Sequence, residues 1–161
     1  MKQHHQHRVD IVGRGSGWDL VDYDNEVWAV STAYKQLRKA DKVFQLHKEQ
    51  LFEPWLKGIE KDVVLLNPCS RMNNSFVLPT LELNIMFGKV FHSSVAWMFG
   101  YAIMQGYRDI GIIGINMEHG SEYGAQRDSM FFLIGWARSR GINVRIPKES
   151  GLYLPEKNYQ E

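Results

Sequence analysis

The chain has little cysteine, no long apolar run and almost no net charge, and each shortage excludes a class of protein. Its one cysteine, Cys69, cannot form an internal disulfide, which excludes a disulfide scaffold and predicts a reducing compartment. No apolar run reaches the ~18 residues of a membrane-spanning helix, and the polar start has no signal-peptide pattern. We therefore expect a cytoplasmic protein with no membrane partner.

Charge and composition narrow the choice of partner and the number of domains. The 161 residues include 19 basic and 18 acidic residues, a net charge of +1, so electrostatics gives no case for nucleic acid as the main partner. Hydrophobic residues make up 44%, as in a globular protein with one core. We expect a disordered polar leader over residues 1–7 and a single nucleotide-binding α/β domain over residues 8–161. Whether the protein forms a homo-oligomer stays open.

Short apolar runs alternate with helical patterns from residue 8 to residue 146. Residues 67–90 have no regular pattern. The alternation predicts an α/β, Rossmann-like fold with a mainly parallel sheet and helices on both faces. The predicted strands are Val9–Val12, Glu26–Val30, Lys42–Leu46, Asp62–Leu66, Ile110–Ile115 and Asn143–Ile146. The predicted helices are Thr32–Lys39, Glu49–Lys57, a helix from an N-cap signal at His92–Ser94 to about Gln105, and Glu122–Arg140.

A glycine-rich turn follows the first predicted strand. Residues 13–17 read Gly-Arg-Gly-Ser-Gly. Glycines let backbone N–H groups approach a ligand closely, and a following helix N-terminus favours an anion. The spacing is G-x-G-x-G, not the dinucleotide fingerprint G-x-G-x-x-G, and no P-loop lysine is present. The turn predicts phosphate or nucleotide binding near the first strand without naming the ligand; a plain tight turn is the alternative.

Ligands of parallel α/β sheets bind beyond the carboxyl ends of the strands, and this rule selects the candidate binding residues. Each candidate except Arg127 follows a predicted strand or lies at a predicted helix start. Arg127 lies one helical turn from Tyr123 on the same face of a predicted helix, where its guanidinium could neutralise a phosphate. The residues selected for ligand binding are Gly13, Arg14, Gly15, Ser16, Gly17, Ser31, His47, Asn67, Ser93, Ser94, Asn116 and Arg127.

Several of these positions resemble bacterial sialyltransferases of the Campylobacter type. The turn at residues 13–17 resembles their Gly-Asn-Gly-Pro-Ser turn. His92–Ser94 resembles their Thr-Ser-Gly helix start, and Ala102–Ile110 matches an Ala-Ile-x-x-Gly-Tyr-x-x-Ile connection. Gly114–Asn116 and Ser121–Tyr123 are similar to their Gly-Ile-Asp strand end and Ser-Ser-Tyr loop. Archaeal pterin pyrophosphokinase-like proteins share parts of the pattern, and small bacteriophage proteins look closest in length and layout, which would place this protein in a host cytoplasm.

The resemblance implies a cytidine monophosphate sugar donor held by the glycine turn and the helix start, so that Gly13, Gly15, Ser16, Ser93 and Ser94 would line the nucleotide. Tyr123 would face the leaving phosphate.

The chain also departs from the family pattern. Ser31 replaces an asparagine, Asn116 replaces an aspartate and Glu118 replaces a tyrosine. The lid that carries the family's general-base histidine is missing, because Tyr123 leads directly into the following helix.

The candidate catalytic residues are Tyr123, His119 and Glu118. A neutral histidine near pH 7 can act as a general base, and Glu118 could orient His119 or act itself. His47 and His92, which also fall near a strand end and a helix start, could act as a base in the same way. The structural alternatives are packing on the helix for Tyr123 and a plain loop position for each histidine. No spacing resembles a metal-ligand motif, so we predict neither metal nor cofactor.

Four of the binding residues have alternatives to ligand contact that stay open. Ser93 and Ser94 could simply cap the helix, and Arg14 and Arg127 could point into water.

Two functions from different classes follow. The first is a protein that binds a nucleotide or nucleotide-derived ligand and sequesters it. The alternative is a glycosyltransferase with a nucleotide-activated sugar donor. A pterin-type pyrophosphokinase is a weaker third option, because it needs carboxylates for Mg²⁺ and only Asp19, Asp22 and Glu118 are near enough.

Overall fold

One seven-stranded sheet organises the chain. The computed structural model describes residues 7–47, 56, 58–117, 123–155 and 157–161. The strands are β1 (Arg8–Val12), β2 (Glu26–Val30), β3 (Lys42–Gln45), β4 (Asp62–Leu65), β5 (Ser75–Val77), β6 (Asp109–Ile113) and β7 (Asn143–Arg145). They lie in the order β5-β4-β3-β2-β1-β6-β7, and every described pairing is parallel.

The strand order reverses at β1. The chain builds outward from β1 to β5 and then returns to place β6 on the other side of β1. Ile11 of β1 is therefore opposite both Trp28 of β2 and Ile112 of β6. This arrangement confirms the predicted Rossmann-like α/β fold. It also creates a crevice at the carboxyl ends of β1 and β6, where such sheets bind ligands.

The two faces of the sheet are covered differently. Three helices, α1 (Thr80–Phe87), α2 (Ser94–Met104) and α3 (Gly124–Arg138), contribute to the main core on one face. On the other face the described cover consists of 3₁₀ helices at Trp18–Leu20 and Ser31–Gln36 and of loops, packed over smaller apolar clusters. No helix among the described residues is long and apolar enough to cross a membrane.

Two predicted elements differ from those observed. The predicted helix Thr32–Lys39 is instead the 3₁₀ helix Ser31–Gln36. Residues 67–90, read as irregular, contain β5 and α1.

Two further predictions fall wholly or mostly on residues outside the described part of the chain. Nearly all of the predicted helix Glu49–Lys57 lies outside it, as do residues 1–6 of the predicted leader. His7 is described, and its carbonyl oxygen accepts the backbone N–H groups of Arg108 and Asp109.

Candidate functional site

A cavity of about 610 Å³ lies in the crevice at the carboxyl ends of β1 and β6. This volume is within the range of small-molecule sites. The cavity brings together nine residues singled out from the sequence, including His92 of the N-cap signal. Its lining residues are Gly13, Arg14, Gly15, Val30, His47, His92, Ser93, Ser94, Val95, Gly114, Ile115, Asn116, Met117, Tyr123 and Gln126.

The glycine turn is built for contact with the end of β6. The backbone N–H of Gly13 donates to the Ile113 carbonyl at 2.8 Å, and that of Gly15 donates to the Gly114 carbonyl at 2.8 Å. A Cβ on Gly13 or on Gly15 would lie 2.6 or 2.7 Å from the Gly114 oxygen. The expectation that these two N–H groups point at a phosphate is therefore wrong: the strand end already occupies them.

The turn also lacks the long helix that would strengthen an anion site. It leads into the three-residue 3₁₀ helix Trp18–Leu20, and Gly17 takes a left-handed conformation with φ 102°. Trp18 closes the turn by donating from Nε1 to the Gly13 carbonyl at 3.0 Å. Within the turn, Arg14 supplies a cationic side chain to the cavity lining.

The N-terminus of α2 is one of two helix starts at the cavity. Within the predicted N-cap signal His92–Ser94, Ser93 is the N-cap, and its Oγ accepts the backbone N–H of Ala96 at 3.1 Å. An α-helix leaves its first N–H groups without intrahelical acceptors, so those of Ser94 and Val95 are available at the cavity wall. The positive end of the helix dipole favours an anion at the same place.

Tyr123 and Gln126 bring the start of α3 to the cavity. Tyr123 is the N-cap residue of α3, and its side chain is partly exposed. Gln126, three residues later, was missed from the sequence, although i, i+3 spacing places it on the face of Tyr123. Arg127 does not line this cavity: its Nε donates to the Gly151 carbonyl at 3.1 Å, and its guanidinium lies 4.6 Å from the Phe131 ring centroid.

Two histidines reach the cavity from different elements. His47 follows β3, and His92 precedes α2. With Arg14 they make the described lining basic or neutral, since none of its described residues is a carboxylate. Such a lining suits an anionic ligand. The other catalytic candidates, Glu118 and His119, lie outside the described residues.

The remaining candidates lie apart from this cavity. Ser16 and Gly17 line a smaller neighbouring cavity of about 220 Å³, which shares the Gly114–Asn116 wall. Asn67 is exposed and is not among the lining residues. Ser31 follows the lining residue Val30 and has φ 51°, a conformation uncommon for residues other than glycine. Groups of three or more potential metal ligands are absent from the described part of the chain.

No protein family model and no curated protein matches the sequence, but solved structures share the fold. The sialyltransferase CstII from Campylobacter jejuni in complex with cytidine-5'-monophosphate (CMP) is 16% identical, with TM-score 0.60, over 88% of this chain and 79% of that chain. Its complex with CMP-3FNeuAc is 15% identical, with TM-score 0.58, over 95% and 91% of the two chains. Its complex with a trisaccharide acceptor and CMP is 14% identical, with TM-score 0.60, over 86% and 80%. The chain therefore has a sialyltransferase-like fold.

Proposed function

We propose that the 610 Å³ cavity binds the nucleotide of an activated sugar, and that the protein is a glycosyltransferase-like enzyme. The observation that carries the proposal is the placement of this cavity at the point where the strand order reverses, with the N-terminus of α2 in its wall. CMP is the first ligand to test, because structures of the same fold are described as CMP complexes.

The lining residues suggest how the phosphate is held. The N–H groups of Ser94 and Val95 and the hydroxyl of Ser94 donate hydrogen bonds to phosphate oxygens, while Arg14 balances their charge. This assignment moves phosphate binding from the glycine turn to α2, because the Gly13 and Gly15 N–H groups are already bonded.

In the proposed transfer, the bond between the sugar's reactive carbon and the phosphate oxygen breaks, and that oxygen keeps the electron pair. The Tyr123 hydroxyl donates a hydrogen bond to it, stabilising charge that grows as the bond breaks. An acceptor hydroxyl oxygen bonds to the sugar carbon and gives its proton to a general base. His47 and His92 are the described candidates for this base, beside His119 and Glu118 outside the described residues.

Binding without turnover is the second candidate. Two observations favour it: the described lining residues include no carboxylate, and Asn116 stands at the end of β6 where the resemblance expects an aspartate. In that case the same contacts capture the nucleotide and leave it unchanged.

Magnesium-dependent pyrophosphoryl transfer has less support, because the described carboxylates that could hold Mg²⁺ do not line the 610 Å³ cavity. The Asp22 carboxylate lies 4.0 Å from Arg8, and its Oδ1 accepts the Asp24 N–H. Asp19 lines the smaller neighbouring cavity.

Titration calorimetry with CMP, UMP, AMP and GMP tests the proposal. We expect CMP to bind and Ser94→Ala to weaken its binding. Incubation with CMP-activated sialic acid and a sugar acceptor then separates the two candidates. Release of CMP together with a sialylated product supports the transferase, and binding without any product supports capture. Failure of all four nucleotides to bind contradicts both.

A further inference from the structure

A segment near the C-terminus holds the backbone that follows β6, although the two are more than 30 residues apart in the sequence. We call residues 150–152 the strap. Ser150 Oγ donates to the Ile115 carbonyl at 2.7 Å, and the Gly151 N–H donates to the Asn116 carbonyl at 2.7 Å. Leu152 anchors the strap, because its side chain is 1% exposed within the main core. The strap therefore fixes two consecutive residues of the cavity wall.

The contact between strap and wall is close enough to require glycine. A Cβ on Gly151 would lie 2.5 Å from the Asn116 oxygen and 2.6 Å from the Met117 oxygen. Met117 itself is buried and has φ 44°, a left-handed conformation that persists only where the surroundings hold it. The cavity wall after β6 is thus shaped by the strap as well as by the local sequence.

Arg127 connects the strap to Tyr123, a second residue of the cavity lining. Its Nε donates to the Gly151 carbonyl at 3.1 Å, while its backbone N–H donates to the Tyr123 carbonyl at 2.7 Å. A continuous path of hydrogen bonds therefore runs from Tyr123 through Arg127 and Gly151 to Asn116. Tyr123 and Asn116 both line the cavity, on either side of residues 118–122 in the sequence.

We infer that Arg127 is a positioning residue: by holding the Gly151 carbonyl it fixes Asn116 relative to Tyr123, and so sets the shape of the nucleotide cavity. The inference rests on the proposed function for its ligand. A planar guanidinium is suited to this task, because it stacks on Phe131 while it donates to a carbonyl.

The test compares two arginines of α3. Arg138 also holds a backbone carbonyl, with Nη2 3.2 Å from the Val144 oxygen, and it lines a cavity beside β7 instead. We expect Arg127→Met to weaken CMP binding about tenfold by titration calorimetry, the result if the unheld cavity wall keeps its binding-competent shape in about a tenth of the molecules. Arg138→Met should leave CMP affinity unchanged, and Arg127→Lys, which keeps a cationic donor, should restore part of the loss.

Amide hydrogen exchange followed by NMR provides a readout independent of the ligand. The Gly151 N–H should exchange faster in Arg127→Met and at the wild-type rate in Arg138→Met. Equal loss of CMP affinity in the two methionine variants, or unchanged exchange at Gly151, overturns the inference. If the wild-type protein binds no CMP, the proposed function fails, and exchange at Gly151 alone then decides whether Arg127 holds the strap.

Discussion

Arg145 forms an ion pair with Asp10, 135 positions earlier in the sequence, in which Arg145 Nη2 lies 2.7 Å from Asp10 Oδ1. Asp10 is fully buried, and its other carboxylate oxygen accepts the Asp22 N–H at 2.9 Å. The pair joins β7 to β1 across β6. Gly111 of β6 makes room for it, because a Cβ there would collide with both charged groups.

Removing the arginine should destabilise the protein strongly. Arg145→Met leaves the buried Asp10 carboxylate without its cation, which costs about 3 to 5 kcal/mol of unfolding free energy. Urea denaturation monitored by circular dichroism measures this. Arg108→Met is the control, since Arg108 makes an exposed contact with the Arg140 carbonyl and its loss should cost about 0.5 kcal/mol or less. Similar losses in the two variants would contradict the importance of the buried pair.

Stability should fall at acid pH partly through Asp109. Burial alone would raise its pKa, but hydrogen bonds from Arg145 and Asn143 and the nearby positive charges hold the pKa below the ordinary value of 3.8. A carboxylate with a lowered folded-state pKa stabilises the protein fully above its unfolded-state pKa, and the contribution is lost as pH falls through the folded value. Asp109→Asn should therefore lose less stability than the wild type between pH 7 and pH 3. Parallel losses, measured by denaturation at each pH, would contradict this.

Gly15→Val should lower the stability of the protein even when no ligand is bound. The new Cβ would meet the Gly114 carbonyl at 2.7 Å, and overpacking of this kind costs about 1 to 3 kcal/mol. Thermal melting measures the loss. Gly135→Ala is the matched control: nothing lies within 4 Å of a Cβ on this α3 glycine, so the change should stabilise the helix by about 1 kcal/mol. A Gly15→Val variant with the wild-type melting temperature would show that the turn is not packed as described.

Substitutions of the two serines at the start of α2 should separate the effect of helix capping on stability from the effect of ligand binding on affinity. Ser93→Ala removes the Oγ that accepts the Ala96 N–H, which should cost about 1 kcal/mol of stability. Ser94→Ala should leave the unfolding free energy close to that of the wild type. It should weaken CMP binding by roughly 1.5 to 3 kcal/mol, the contribution of one hydrogen bond to a charged group. Denaturation and calorimetry on both variants check this, and a loss of stability in Ser94→Ala without a change in affinity would reverse the assignment.

Tyr123→Phe should distinguish transfer from capture. If Tyr123 stabilises the leaving phosphate, turnover should fall by about 2.7 to 4 kcal/mol of transition-state stabilisation, while CMP affinity changes far less. If the protein only captures its ligand, affinity should fall by roughly 0.5 to 1.5 kcal/mol for a neutral hydrogen bond, or by up to about 3 kcal/mol if the hydroxyl meets a charged phosphate, and no product should form. Tyr153→Phe is the control, because Tyr153 lines the separate cavity beside β7.

His119→Ala should also slow turnover if His119 is the base, and wild-type turnover in both Tyr123→Phe and His119→Ala would exclude these roles.

Local patterns in the sequence were sufficient for much of the fold. The apolar runs of β1, β2, β3, β4, β6 and β7 predict strands, because buried parallel strands carry continuous apolar sequence. The start of α2 was predicted for an equally local reason, since an N-cap serine bonds an N–H three residues later. Placing candidate residues after strands and at the start of α2 also singled out nine of the fifteen residues that line the cavity. α1 was missed because its apolar residues surround the helix: Leu83 and Phe87 are buried, while Leu81 and Ile85 are exposed.

Only the tertiary structure decided what the individual site residues contact. The sequence predicts that the glycine turn leaves N–H groups for a ligand, but the approach of β6 directs those of Gly13 and Gly15 to carbonyls about 100 residues away. The sequence likewise places Arg127 one helical turn from Tyr123, yet the strap, 24 residues later, captures its side chain. The physical reason is the same in both cases. Hydrogen-bond donors are satisfied by whichever acceptor the folded chain brings near, and that choice depends on contacts between distant residues.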